Sequence, residues 1–120
     1  MKWCLLAFCA ATLFHHVHNA QFIDQYPHLP GWLSPAWIYL TWLGATAVGI
    51  AGYALLRHGR RAIGLVVLAL YAVWGFDGLA HYARAPIRAH TPMMNASIWL
   101  EAGSAALLLG AVIASLRPAK

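Results

Sequence analysis

The feature that most constrains this chain is the recurrence of apolar runs, each about as long as a bilayer is thick. They occupy residues 3–19, 36–56, 62–82 and 95–116. A hydrocarbon core of about 30 Å takes roughly 20 helical residues to cross. Turn signals separate the runs: Pro27, Pro30, Gly31 and Pro35 in the first gap, Arg57-His58-Gly59-Arg60-Arg61 in the second, Pro86 and Pro92 in the third. Only 9% of the residues are charged, against about 25% in soluble domains, too few to cover a water-facing surface. The expected fold is therefore an all-α, four-helix up-down transmembrane bundle, one domain over residues 1–120. Little chain is left over for a soluble domain, so any chemistry belongs inside the bundle or at its rim.

The basic residues set the orientation. Lys2, Arg57, Arg60, Arg61, Arg117 and Lys120 fall at one end of the bundle, and only Arg84 and Arg88 at the other. The positive-inside rule then predicts both termini in the cytoplasm and the two longer loops outside. The same placement excludes nucleic acid despite a net charge of +5, because the charges mark helix ends and form no stripe with exposed aromatics. The expected partner is the lipid bilayer, with a homo-oligomer or larger membrane complex open. The Ala/Gly/Arg-rich, lysine-poor composition points to a bacterial inner membrane. The first run competes with a secretory signal peptide, but His18-Asn19-Ala20 lacks a small-x-small cleavage pattern, so a retained helix is expected. Tyr26, Trp32 and Trp37 suit a membrane interface, and Asn95 is the expected N-cap of the last helix. Cys4 and Cys9 fall on different helix faces, which predicts no disulfide between them. Small residues every four positions (Ala45 and Gly49; Ala102, Ala106, Gly110 and Ala114) predict close helix contacts.

The chain has three acids, Asp24, Asp77 and Glu101, and two lie inside expected spans. A carboxylate at membrane depth costs roughly 2.5–3.5 kcal/mol, so such a group asks for a function and a partner. Counting 16 residues from the cytoplasmic end of each run places His18, Asp77 and Glu101 at about 24 Å. His15 is one turn deeper and His81 one turn shallower. The expectation is a polar cluster of His15, His18, Asp77, His81 and Glu101 in the outer half of the bilayer. Asn19, Thr41, Trp42, Trp74, Ser97 and Trp99 are expected to line it. His16 is read as facing lipid, and His28, His58 and His90 as solvated loop residues.

Histidine and carboxylate drawn from several helices can build a metal site in a bundle core. That donor set suits a divalent metal (zinc, iron or manganese), and two of the histidines could serve as axial ligands of haem. Without a metal, the same groups are suited to general acid–base chemistry or a proton relay. His15 followed by His18 and Asn19 is loosely similar to the motif of small bacterial membrane proteins named for HXXEE; the two glutamates are missing here. The buried acids and histidines also resemble, in architecture alone, the four-helix sterol-isomerase-like membrane fold. Two other function classes stay open: a non-catalytic accessory or structural subunit, and a binder of a hydrophobic small molecule between the helices.

Overall fold

A computed structural model describes residues 1–116. Arg117 and Lys120, two of the basic residues used for orientation, lie outside the described residues. The main helices are α1 (Lys2–Gln21), α2 (Pro35–Arg57), α3 (Arg61–Trp74), α4 (Ala80–Arg84) and α5 (Pro92–Ser115). Single 3-10 turns occupy Ile23–Gln25, Asp77–Leu79 and Ile87–Ala89, and there is no strand among the described residues. Three stretches, Pro35–Arg57, Arg61–Arg84 and Pro92–Ser115, are long and apolar enough to cross a membrane. α1 is not among them, because His15, His16, His18 and Asn19 crowd its last third.

Local chemistry places the helix ends. Ser34 caps α2 by accepting from the Trp37 amide, with Pro35 at the first helical position where a missing N–H costs nothing. α2 stops at Gly59, whose φ of +78° lets the Arg60 amide fold back onto the Leu55 carbonyl at 2.9 Å. The cap of α5 is Thr91 and not Asn95: the Thr91 hydroxyl accepts from the Met94 amide at 3.2 Å, and Pro92 follows. Asn95 is already inside the helix, and its side chain ties the preceding loop through the Ile87 and His90 carbonyls and the Tyr82 hydroxyl.

The packing is an up-down arrangement. α2 and α3 are joined by a three-residue turn and pack antiparallel. Thr12 meets Glu101 and His15 meets Ser97, so α1 and α5 also run antiparallel. Phe8 meets Tyr71 and His15 meets His81, which makes α1 parallel to the stretch from α3 to α4. The Arg61 guanidinium on the Ser115 carbonyl puts the start of α3 and the end of α5 at one end of the bundle. That half holds the apolar core, with Leu5, Phe8, Leu68, Tyr71, Ala105 and Leu108 buried. The outward faces carry large apolar side chains, Leu107, Leu70, Ile50 and Val66 among them. Such a surface fits lipid and would be a liability in water.

The close helix contact falls at glycine. A Cβ on Gly64 would meet the Leu56 amide nitrogen at 2.6 Å and the Gly52 carbonyl oxygen at 2.9 Å, so α2 and α3 approach backbone to backbone. Gly49 is likewise closed over by the Tyr71 ring.

The third expected span, 62–82, is interrupted. α3 ends at Trp74, Gly75 and Phe76 tighten into i→i+3 bonds with Ala72 and Val73, and a 3-10 turn leads into α4. The break sits where two side chains from other helices need the space: the Phe8 ring lies on Gly75, and the Glu101 carboxylate lies on Gly78.

Candidate functional site

Above the apolar core, toward the loop end, the buried face of α1 turns polar. Leu5, Phe8, Thr12, His15, His16 and Asn19 are all buried, and their spacing of three and four residues makes one stripe. His16 therefore faces inward, contrary to its reading as a lipid-facing residue. His18 is off the stripe: its Nδ1 lies 2.8 Å from the Tyr26 hydroxyl in the loop, so it meets the other expected residues through Tyr26 and not at Glu101.

Glu101 is the centre of the site and is 1% exposed. Its Oε1 accepts from the Thr12 hydroxyl and lies 3.7 Å from His16 Nδ1. Its Oε2 lies 3.6 Å from His15 Nε2 and has no hydrogen-bond partner. A Cβ on Gly78 would meet the same oxygen at 2.8 Å, so this carboxylate reaches the histidines only because position 78 has no side chain.

The hydrogen bonds assign the ring protons. The Ser97 hydroxyl donates to the Met94 carbonyl at 2.9 Å, so its oxygen accepts from His15 Nδ1–H at 3.1 Å. His15 Nε2 then carries the lone pair and points at Glu101 Oε2. A lone pair and a carboxylate oxygen repel unless one proton lies between them, on the imidazole or on the acid. His16 Nδ1–H donates to the Thr12 carbonyl at 2.8 Å. Asn19 Nδ2 donates to His81 Nε2 at 3.3 Å, which leaves the proton of His81 on Nδ1, without a partner. Tyr26, also buried, stacks on His81 at 4.9 Å between ring centroids; burial pushes its phenol up to about 12.

Beside the cluster is an open cleft of about 250 Å³. His15, His16, Asp77 and His81 give it a polar wall, with Arg84 among its lining residues; Trp32 and Ile38 are on the apolar side. Asp77 thus opens onto the cleft and forms no ion pair among the described residues. Asn19 and Thr41 also line the cleft, as expected, whereas Trp42, Trp74 and Trp99 do not. The interruption after Trp74 explains one of these: Trp74 no longer shares a face with Asp77 and His81, and is exposed. Trp99 is exposed on the outer surface of α5, in a groove against α1. Ser97 is fully buried and acts through His15.

His15, His81, Glu101 and Ser97 are thus brought together, and His16, Thr12, Tyr26 and Gly78 join them. The signal for His16 was present in the spacing from Thr12 and Asn19. Nothing local marks Tyr26 or Gly78. Among the described residues, no group of three or more His, Cys, Asp or Glu side chains is placed to hold a metal ion. One nitrogen on each of His15, His16 and His81 is committed elsewhere, to Ser97, Thr12 and Asn19 respectively. The chain matches no protein-family model, no curated protein and no solved structure.

Proposed function

We propose that this chain is a four-span integral membrane protein, with both termini in the cytoplasm of a bacterial cell and its inner membrane as host, whose buried His/Glu cluster holds a proton and transfers it to or from a small molecule in the adjoining cleft. The observation that carries this is the His15 Nε2–Glu101 Oε2 pair, which needs one proton between two buried side chains. A site of this kind is suited to general acid–base chemistry, because the proton is held at a defined atom beside an open cavity. α1 supports the fourth span: Thr12, His15, His16 and Asn19 turn inward, while Leu6, Leu13 and Phe14 are exposed. The orientation is supported by Arg57, Arg60 and Arg61 at the end opposite the two longer loops.

A divalent metal or haem on His15, His18, Asp77, His81 and Glu101 is less well supported. The donors present do not converge, and His18 bonds Tyr26 instead. The cleft is also smaller than the roughly 300–1,000 Å³ of ordinary cofactor pockets. The accessory-subunit reading has one observation in its favour. Ala106, Gly110 and Ala114 are exposed on α5, and Gly110 has open space where a side chain would be. That stripe could receive a second helix.

Infrared difference spectroscopy on protein purified in mild detergent tests the main reading. The expected result is a pH-dependent carbonyl band of a carboxylic acid that disappears in Glu101→Gln and persists in Asp24→Asn. If the spectrum shows neither a Glu101 carboxylic-acid band nor an imidazolium band that is lost in His15→Phe, or if the acid band belongs to Asp77, the His15–Glu101 proton site is wrong. Elemental analysis and an absorption spectrum of the same sample decide the metal and haem reading.

A further inference from the structure

His90 was expected to be a solvated loop residue, yet it is 5% exposed. It lies in the loop between α4 and α5, and its ring faces His81 at 6.0 Å between centroids in an edge-on arrangement. His90 Nδ1–H donates to the Pro86 carbonyl at 3.1 Å, so Nε2 holds the lone pair, and it has no partner. His81 presents the complement, an Nδ1–H with no partner. Two neighbouring buried rings therefore offer one free donor and one free acceptor. Buried polar atoms without partners are rare and ask for a role. On the inner side, His15 and His81 are 5.6 Å apart between centroids. Neighbouring rings thus lead from Glu101's own site to the loop.

We propose that His81 and His90 form a proton path from the buried cluster to the α4–α5 loop, with its exit at His90 outside the cleft that His81 lines. The inference rests on the proton site proposed above. It lets the cluster exchange protons with water while a ligand fills the cleft. In the outward step His81 first gains a proton at Nε2 from the His15 side and becomes an imidazolium. The N–H bond at its Nδ1 then breaks as a bond forms at His90 Nε2, which leaves His81 neutral with its proton on Nε2 and His90 an imidazolium. Asn19 can serve both states of His81. Its Nδ2 donates to the bare Nε2 now, and turning the amide brings its unpartnered Oδ1 to accept from Nε2–H. His90 returns to neutrality by releasing the proton to water at the loop, so one proton enters and one leaves. Tyr26 and Tyr82 pack on these two rings, and Arg84, one turn from His81, is the nearby fixed charge.

The test is nitrogen NMR of protein labelled at histidine and reconstituted in lipid nanodiscs. The expected result is His90 protonated at Nδ1, with His81 divided between its two neutral forms. In His90→Phe, exchange of the His81 ring N–H with water slows by about a hundredfold, the low end of what a positioned acid–base group contributes. His90→Gln retains a hydrogen-bonding side chain but cannot relay a proton, so it slows exchange equally. His28→Phe, in an exposed loop, changes nothing. A His90 protonated at Nε2, or unaltered His81 exchange in both His90 variants, overturns the path. The infrared bands of Glu101 and His15 separate the two failures: with either the Glu101 acid band or the His15 imidazolium band present only the path is lost, and with both absent the proton site falls too.

Discussion

Replacing Gly78 by alanine probes the site without touching any polar group. The added Cβ would sit 2.8 Å from Glu101 Oε2, well inside carbon–oxygen contact, and the carboxylate cannot retreat freely because Thr12, His15 and His16 hold it from the other side. Overpacking of this kind costs about 1–3 kcal/mol. Against this stands a gain of about 0.4–1 kcal/mol from restricting the unfolded chain. The net expectation is a loss of about 1–2 kcal/mol on the same accounting. Gly103→Ala is the matched control: its Cβ meets nothing within 4 Å, and in mid-helix it should stabilise by up to about 1 kcal/mol. Both are measured by unfolding in mixed micelles. The double variant Gly78→Ala/Glu101→Ala should recover part of the loss, with a coupling of about 0.5–3 kcal/mol as expected for touching residues. If Gly78→Ala is as benign as Gly103→Ala, or if the two changes at 78 and 101 are additive, the carboxylate does not lie on position 78.

Three further outcomes are expected. Thr12→Val removes the hydroxyl donor of a fully buried carboxylate and should cost about 1–3 kcal/mol, whereas Thr41→Val, on the exposed side of the cleft, should be near neutral; equal effects in the same unfolding assay would disprove the Thr12–Glu101 bond. Tyr26 ionises at about 12 in the folded protein, above its usual value of 10. Its contribution is therefore intact below pH 10 and lost as pH rises from 10 to 12. An ultraviolet titration should show a late phenolate that is missing in Tyr26→Phe. Gly59→Ala forces a side chain into the left-handed region that ends α2 and should lower stability by about 1–2 kcal/mol; an unchanged unfolding midpoint would refute that helix end.

The sequence alone determined the apolar runs, the turns between them and the inventory of polar groups that must be hidden, because those follow from local composition and from bilayer thickness. It also placed Glu101, His15 and His81 in one neighbourhood, since straight helices counted from a common end keep a common height. Tertiary packing decided the rest. Whether α1 turns His16 or His18 inward depends on which stripe Leu5 and Phe8 bury, and only the bundle sets that rotation. The interruption at Gly75 and Gly78 is legible locally as two glycines, but its cause is Phe8 and Glu101, which come from helices far away in the chain. His90 reads as a loop residue until the α4–α5 connection folds it against His81. The ring protons, and with them the one proton between His15 and Glu101, follow from hydrogen bonds between helices. No spacing along a single helix can specify those bonds.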